Sequence, residues 1–198
     1  MEPHKLAEEM YRHATPILRV KKLGGLKWRR YDAKPTGRTG PWFSADYDVL
    51  DRLTWEKKQP CIYFVAGKDG VIRYTGISRN GVKDRWREAT AIDHATNQRR
   101  PRKELHHSQC WRHIEEEYLK DQAAMFEVRV LPGERLVKVL NKLGPPLSGF
   151  LALGSDYEGI TAAVERWMCN NQSDRLVTWN RAMTSTATKA AGLSYLRK

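Results

Sequence analysis

The hydrophobic spacing changes period along the chain, and each change marks an element. Leu6 and Met10 stand about one helical turn apart in PHKLAEEMYRH, which predicts a short helix over Pro3–His13. Between Pro60 and Ser78 the runs CIYFVAG and VIRYTGIS are β-branched and aromatic. The Lys68-Asp69-Gly70 between them carries the Asp-Gly turn signal, so an antiparallel hairpin is predicted. From Asn80 onward Val82, Trp86 and Ile92 are spaced for a helix. A second helix is predicted from Lys103 to Asp121, after the breaker Arg99-Arg100-Pro101-Arg102. In AMFEVRVLPG, Phe126, Val128 and Val130 alternate with Glu127 and Arg129, a third strand ended by Pro132-Gly133. A helix over Arg135–Leu143, a Gly/Pro-rich loop through Gly159 and a helix over Ile160–Asn170 follow. The order predicts an α+β fold, a small, mostly antiparallel three-stranded sheet flanked by helices over residues 60–180, with a tail over 181–198.

The first 59 residues have a different character. Ile17 to Arg38 holds eight Lys or Arg against the single Asp32, and Trp28 and Tyr31 are interleaved with the cations. Gly24-Gly25 and Pro35-Thr36-Gly37 are expected to break regular structure, so residues 1–59 read as a basic N-terminal arm or helical extension. Such an arm either tracks phosphates and stacks on bases or is solvated, with its aromatics packed on the core. Lys27, Trp28, Arg29 and Arg30, together with Arg99, Arg100, Arg102 and Lys103, are the candidate DNA-binding residues.

Charge strengthens the nucleic-acid reading. Across 198 residues Lys and Arg number 35 and Asp and Glu 23, a net charge of +12 that draws polyanions before any specific contact forms. A hydrophobic fraction of 40% argues for a packed core and against a disordered chain. No apolar run approaches the roughly 20 residues a membrane span needs, and the start lacks a signal-peptide core, so a cytoplasmic location is expected. Cys61, Cys110 and Cys169 are too few and too scattered for a disulfide framework.

The hairpin carries one tyrosine on each strand, Tyr63 and Tyr74, and Arg85 follows eleven residues after the second, on the predicted helix. Glu165 lies in the last predicted helix, and Asn180 stands fifteen residues beyond it. With Cys61-Ile62-Tyr63 as its first motif and Tyr74-Thr75-Gly76 as its second, this ordered set resembles the GIY-YIG nuclease family from Pro60 to about Asn180. The sequence departs from the family pattern at Cys61 (usually glycine), Thr75 (usually apolar) and Ala89 (often histidine or tyrosine).

The resemblance implies a metal-dependent endonuclease that hydrolyses phosphodiester bonds in double-stranded DNA, of compact restriction or phage type, acting as a homodimer where both strands are cut. It implies Tyr63 as proton acceptor for water, Tyr74 as a hydrogen-bond donor to the scissile phosphate, and Arg85 as a planar clamp on its oxygens. A phenol needs a nearby cation to act as a base at neutral pH, and Lys68, Arg73 and Arg79 are local candidates. Glu165 would hold Mg²⁺ (or Mn²⁺), and Asn180 would orient the metal shell or the glutamate's helix. Of the cluster His106, His107, Cys110 and His113, three members share a helix face, yet one helix cannot surround a tetrahedral ion. The resemblance instead gives His107 or His106 a phosphate-facing or proton-shuttling role. Two rival readings are a catalytically inactive nucleic-acid-binding module of the same fold and a basic adaptor for an acidic protein.

Overall fold

Residues 61–66 are buried without interruption, which requires cover on both faces of the strand that carries them. The computed structural model describes residues 2–30, 39–86 and 110–180, with 21–30 and 39–47 given by their backbone. In chain order the elements are α1 (Pro3–His13), β1 (Thr15–Arg30), β2 (Thr39–Val49), α2 (Arg52–Glu56), β3 (Cys61–Gly67), β4 (Ile72–Ser78) and α3 (Lys83–Trp86). Then come α4 (Cys110–Lys120), β5 (Phe126–Pro132), α5 (Gly133–Leu143), a 3-10 helix (Leu147–Leu153) and α6 (Tyr157–Asn170). The strands form one antiparallel sheet in the order β2-β1-β5-β3-β4.

The strand period of two sorts the core into two layers. Ile62 and Phe64 of β3 point into one, which Leu6 and Met10 of α1, Leu136 and Leu140 of α5, and Ile160 and Val164 of α6 complete. Cys61, Tyr63 and Val65 point into the other, with Trp86, Ile114, Phe126, Val128 and Val130. The hairpin turn is closed by Gly70 at φ 76° and by Asp69, which accepts from the Val71 amide and pairs with Arg73 at 2.8 and 2.9 Å.

The hairpin, the third strand and the last two helices lie where the sequence pattern puts them. The sheet, however, has five strands and not three, because the expected basic arm supplies β1 and β2. Thr15 to Val20 of β1 pair with Val130 to Phe126 of β5, so the N-terminal region is built into the sheet. β1 also runs straight through Gly24-Gly25. Register shifts at Val20/Lys22 and Gly24/Leu26 let the glycines sit at irregularities of the ladder, and the same shifts scramble the alternation that would have advertised a strand.

Smaller differences have local causes. α6 begins at Tyr157, because the Asp156 carboxylate accepts from the Gly159 amide and caps it. α2 is fastened by Asp51, which accepts from the Leu53 and Thr54 amides. The Gly/Pro-rich loop before Gly159 contains the 3-10 helix, and α5 starts directly at Gly133. The helix expected over Lys103–Asp121 is described from Cys110, and the tail over 181–198 lies outside the described residues.

Met10 is fully buried, so Met10→Ala is expected to cost about 2–4 kcal/mol by the loss of packed volume. Urea unfolding of the variant checks this. A cost below about 1 kcal/mol would mean that α1 merely drapes over the core.

Candidate active site

Tyr63 lies on the central strand, where its register partner is Gly76 of β4. A Cβ at Gly76 would collide with the Tyr63 hydroxyl and ring, so glycine is required for the phenol to lie across the neighbouring strand. Tyr74, two residues before Gly76, stacks on Tyr63 with ring centroids 6.1 Å apart and planes at 29°. On its other side Tyr63 meets the edge of Trp86 at 6.0 Å. Trp86 thus anchors α3 against the tyrosine, and Arg85 precedes it in the same helix. Tyr63 is 2% exposed, whereas Tyr74 is half-buried.

Arg85 and Glu165 share an electrostatic neighbourhood although 80 residues separate them. Burial pushes the Glu165 carboxyl up to about 7, and the Arg85 charge partly opposes the rise. The same guanidinium acts on Cys61, whose thiol burial drives to about 12. Among the described residues no side chain hydrogen-bonds or ion-pairs with either Arg85 or Glu165. A half-buried cation and a desolvated carboxylate therefore face one neighbourhood with unused valence.

Asn180 is fixed by a two-point clamp. Its Nδ2 donates to the Thr75 carbonyl at 2.8 Å and its Oδ1 accepts from the Thr75 amide at 2.9 Å, so the carboxamide pairs with β4 as another peptide would. The preceding segment runs along the same edge: the Val177 amide donates to the Ile72 carbonyl at 2.7 Å, and the Trp179 amide to the Arg73 carbonyl at 2.8 Å. Gln172 fastens it, donating from Nε2 to the carbonyls of Val177 (3.0 Å) and Asn180 (2.8 Å). Asn180 also lies beside Cys169, one helical turn beyond Glu165 on α6, and partly offsets the rise of that thiol, which burial drives up to about 11. Asn180 thus connects the strand bearing Tyr74 with the helix bearing Glu165.

Tyr63, Tyr74, Arg85, Glu165 and Asn180 are accordingly gathered around β3 and β4. Thr75 is accommodated because its Oγ1 donates to the Tyr63 carbonyl at 3.3 Å, and Cys61 behaves as a small buried hydrophobe. Two of the expected cation partners for Tyr63 are engaged elsewhere, Arg73 with Asp69 and Arg79 with Glu158 at 2.8 Å. Arg85 is the cation whose field reaches Cys61, two residues from Tyr63 on the same face of β3.

Lys27, Trp28, Arg29 and Arg30 lie on the part of β1 that pairs with β2 beyond its last partner in β5. Arg99, Arg100, Arg102, Lys103, His106, His107 and Ala89 lie outside the described residues. Cys110 is buried in the second core layer and His113 stacks on Trp179 at 5.5 Å. Sequence reasoning missed Gln172 altogether, and it named Trp86 only as an apolar helix position and Gly76 only as part of the second motif, without their contacts with Tyr63. Gly76 alone had a signal, its place opposite Tyr63 once the hairpin register is drawn.

Among the described residues no group of three or more His, Cys, Asp or Glu is placed to hold a metal. Glu165 offers one under-ligated carboxylate, which suits a hard cation that keeps most of its waters and not one needing a protein cage. No family model, no curated protein and no solved structure matches the chain.

The Glu165 shift sets a testable sign. A carboxyl whose folded value lies above its unfolded one stabilises the fold fully below about pH 4, and that contribution is lost as pH rises through about 7. In chelator, Glu165→Gln is expected to escape this loss and to exceed wild type at pH 8 by about 2 kcal/mol, after discounting for partial exposure. Unfolding curves at pH 5 and pH 8 measure it, and parallel pH profiles for the two proteins would refute it.

Proposed function

We propose that the chain is a metal-dependent DNA endonuclease that hydrolyses phosphodiester bonds, a compact enzyme of restriction or phage type with a GIY-YIG-like site. The observation that carries this reading is the convergence of the tyrosine pair, Arg85, Glu165 and Asn180 from β3, β4, α3, α6 and the chain beyond it.

The roles follow from exposure and charge. Tyr74, half-buried and stacked on Tyr63, hydrogen-bonds the scissile phosphate. Tyr63 is enclosed, so it takes the proton of the attacking water through a relay. No carboxylate among the described residues ion-pairs with Arg85, whose guanidinium fork grips the phosphate oxygens as negative charge builds on them. Glu165 would hold Mg²⁺ or Mn²⁺, which when bound supplies Lewis acidity at the leaving oxygen. Asn180 positions Tyr74 through the Thr75 backbone and does not itself meet substrate. The net charge of +12 and the basic β1 segment support duplex DNA as the substrate.

Conversion of supercoiled plasmid in Mg²⁺ tests the reading. Arg85→Ala is expected to keep the fold and to lose cleavage by at least about a hundredfold, because it removes charge from the transition state and not core volume. Activity within about threefold of wild type would sink the assignment. Tyr63→Phe keeps the ring over Gly76 and is expected to unfold like wild type while losing most cleavage, without rescue by added Mg²⁺. A Phe variant with full activity and the wild-type pH profile would place water activation elsewhere.

A further inference from the structure

The proposed reaction accounts for the groups around β3 and β4 but leaves a second concentration of positive charge unused. An open cleft of about 390 Å³ is lined by Lys57, Gln59, Pro132, Glu134, Arg135 and Lys138. It lies where the segment after α2 meets the junction of β5 and α5, and the Gly133 amide donating to the Pro60 carbonyl at 2.9 Å joins these two walls. Three cations face one carboxylate. Glu134 pairs with Lys138 at 3.3 Å, which leaves about two uncompensated positive charges.

The donors in this cleft are largely unspent. Among the described residues neither Lys57 nor the Gln59 amide has a hydrogen-bond partner. Arg135 uses one nitrogen on the Thr15 hydroxyl at 2.8 Å, which orients the guanidinium and leaves further N–H groups available. A planar fork, an ammonium and an amide around an open concavity fit a tetrahedral oxyanion in solvent contact better than an apolar ligand or a metal ion.

Position identifies the source of that anion. Gln59 is four residues from Tyr63, a span of no more than about 14 Å even when fully extended. Pro132 is the register partner of Cys61, the residue on which the Arg85 charge acts. Gly81, in the turn that leads into α3 and Arg85, sits against the Lys57 carbonyl. The cleft and the phosphate clamp thus flank the same end of β3. Successive phosphates on one DNA strand advance about 3.4 Å along the helix axis, so a duplex lying across Arg85 presents backbone to the cleft within a few base pairs.

We infer that the cleft between Lys57 and Lys138 is a second phosphate site, gripping the backbone of duplex DNA to one side of the bond that is cut. It carries no sequence information and fixes register and orientation. This rests on the endonuclease reading only for the word cut, since backbone binding requires no chemistry.

The test is binding of a labelled duplex in chelator across a series of salt concentrations, with plasmid cleavage in Mg²⁺ scored separately. Lys57→Ala with Lys138→Ala is expected to lower the slope of log affinity against log salt by about 1–2 and to weaken binding roughly tenfold. Lys5→Ala with Lys120→Ala, an equal charge loss on exposed positions elsewhere, should keep the wild-type slope. Thermal unfolding confirms that both double variants are folded. If the cleft variant keeps the wild-type slope and affinity, the site is overturned while the endonuclease reading stands. A wild type that binds duplex and never cuts, with the slope still falling in the cleft variant, overturns the endonuclease reading and upholds the site. A wild type that does not bind duplex overturns both.

Discussion

The two-sided burial of β3 is the constraint on which the other features depend. A strand covered on both faces can neither shift register nor tilt without emptying one core layer into the other, so its position is fixed from two sides. β4 and β5 take their places from it by direct pairing, and the helices take theirs from the side chains it projects. Tyr63 is embedded in this strand. Its ring is held by Tyr74 stacked on it, by Trp86 in an edge contact and by a bare glycine against the hydroxyl. Rigid placement of this kind suits a group whose use depends on geometry more than on reach.

The charged partners are placed by a different logic. Glu165 and Arg85 come from helices on elements remote in sequence, and neither is consumed by a protein ion pair among the described residues. A carboxylate without a partner in a desolvated position costs stability, and an arginine that could have relieved it by direct pairing stops short of doing so. Chains tolerate such a cost where charge serves a ligand, which is why a carboxyl displaced by burial beside an unpaired cation is a functional indicator. The exposed pairs Arg79–Glu158 and Lys83–Glu56 show the contrast, because there opposite charges meet at 2.8 and 2.6 Å and are spent on each other.

The sequence was legible where local chemistry and burial agreed. β3 and β4 declare themselves through β-branched and aromatic runs about an Asp-Gly turn, and β5 through clean alternation that its buried and half-buried positions reproduce. β1 was illegible because its ladder is interrupted twice, its glycines mimic a loop, and its cations mimic an arm. The Tyr63, Tyr74, Arg85, Glu165 and Asn180 set could be named only through its resemblance to the GIY-YIG pattern. Nothing in one dimension announces that Asn180 would bind the backbone of Thr75 or that Gln172 would fasten the segment that carries it. Those bonds exist only once the chain has returned to the sheet edge.

The bond between Thr75 and Asn180 spans 105 residues, and this separation has a kinetic side. Closing so long a loop comes late in folding, after the local hairpin has formed in microseconds. During synthesis at about 5–20 residues per second, the strand bearing Tyr74 emerges on the order of 5–20 s before the amide that clamps it. Throughout that interval β4 is a bare sheet edge, open to pairing with another nascent chain. The closing segment is therefore a cover as well as a brace: its amides and the Asn180 carboxamide occupy backbone groups of β4 that would otherwise stand open on the sheet edge.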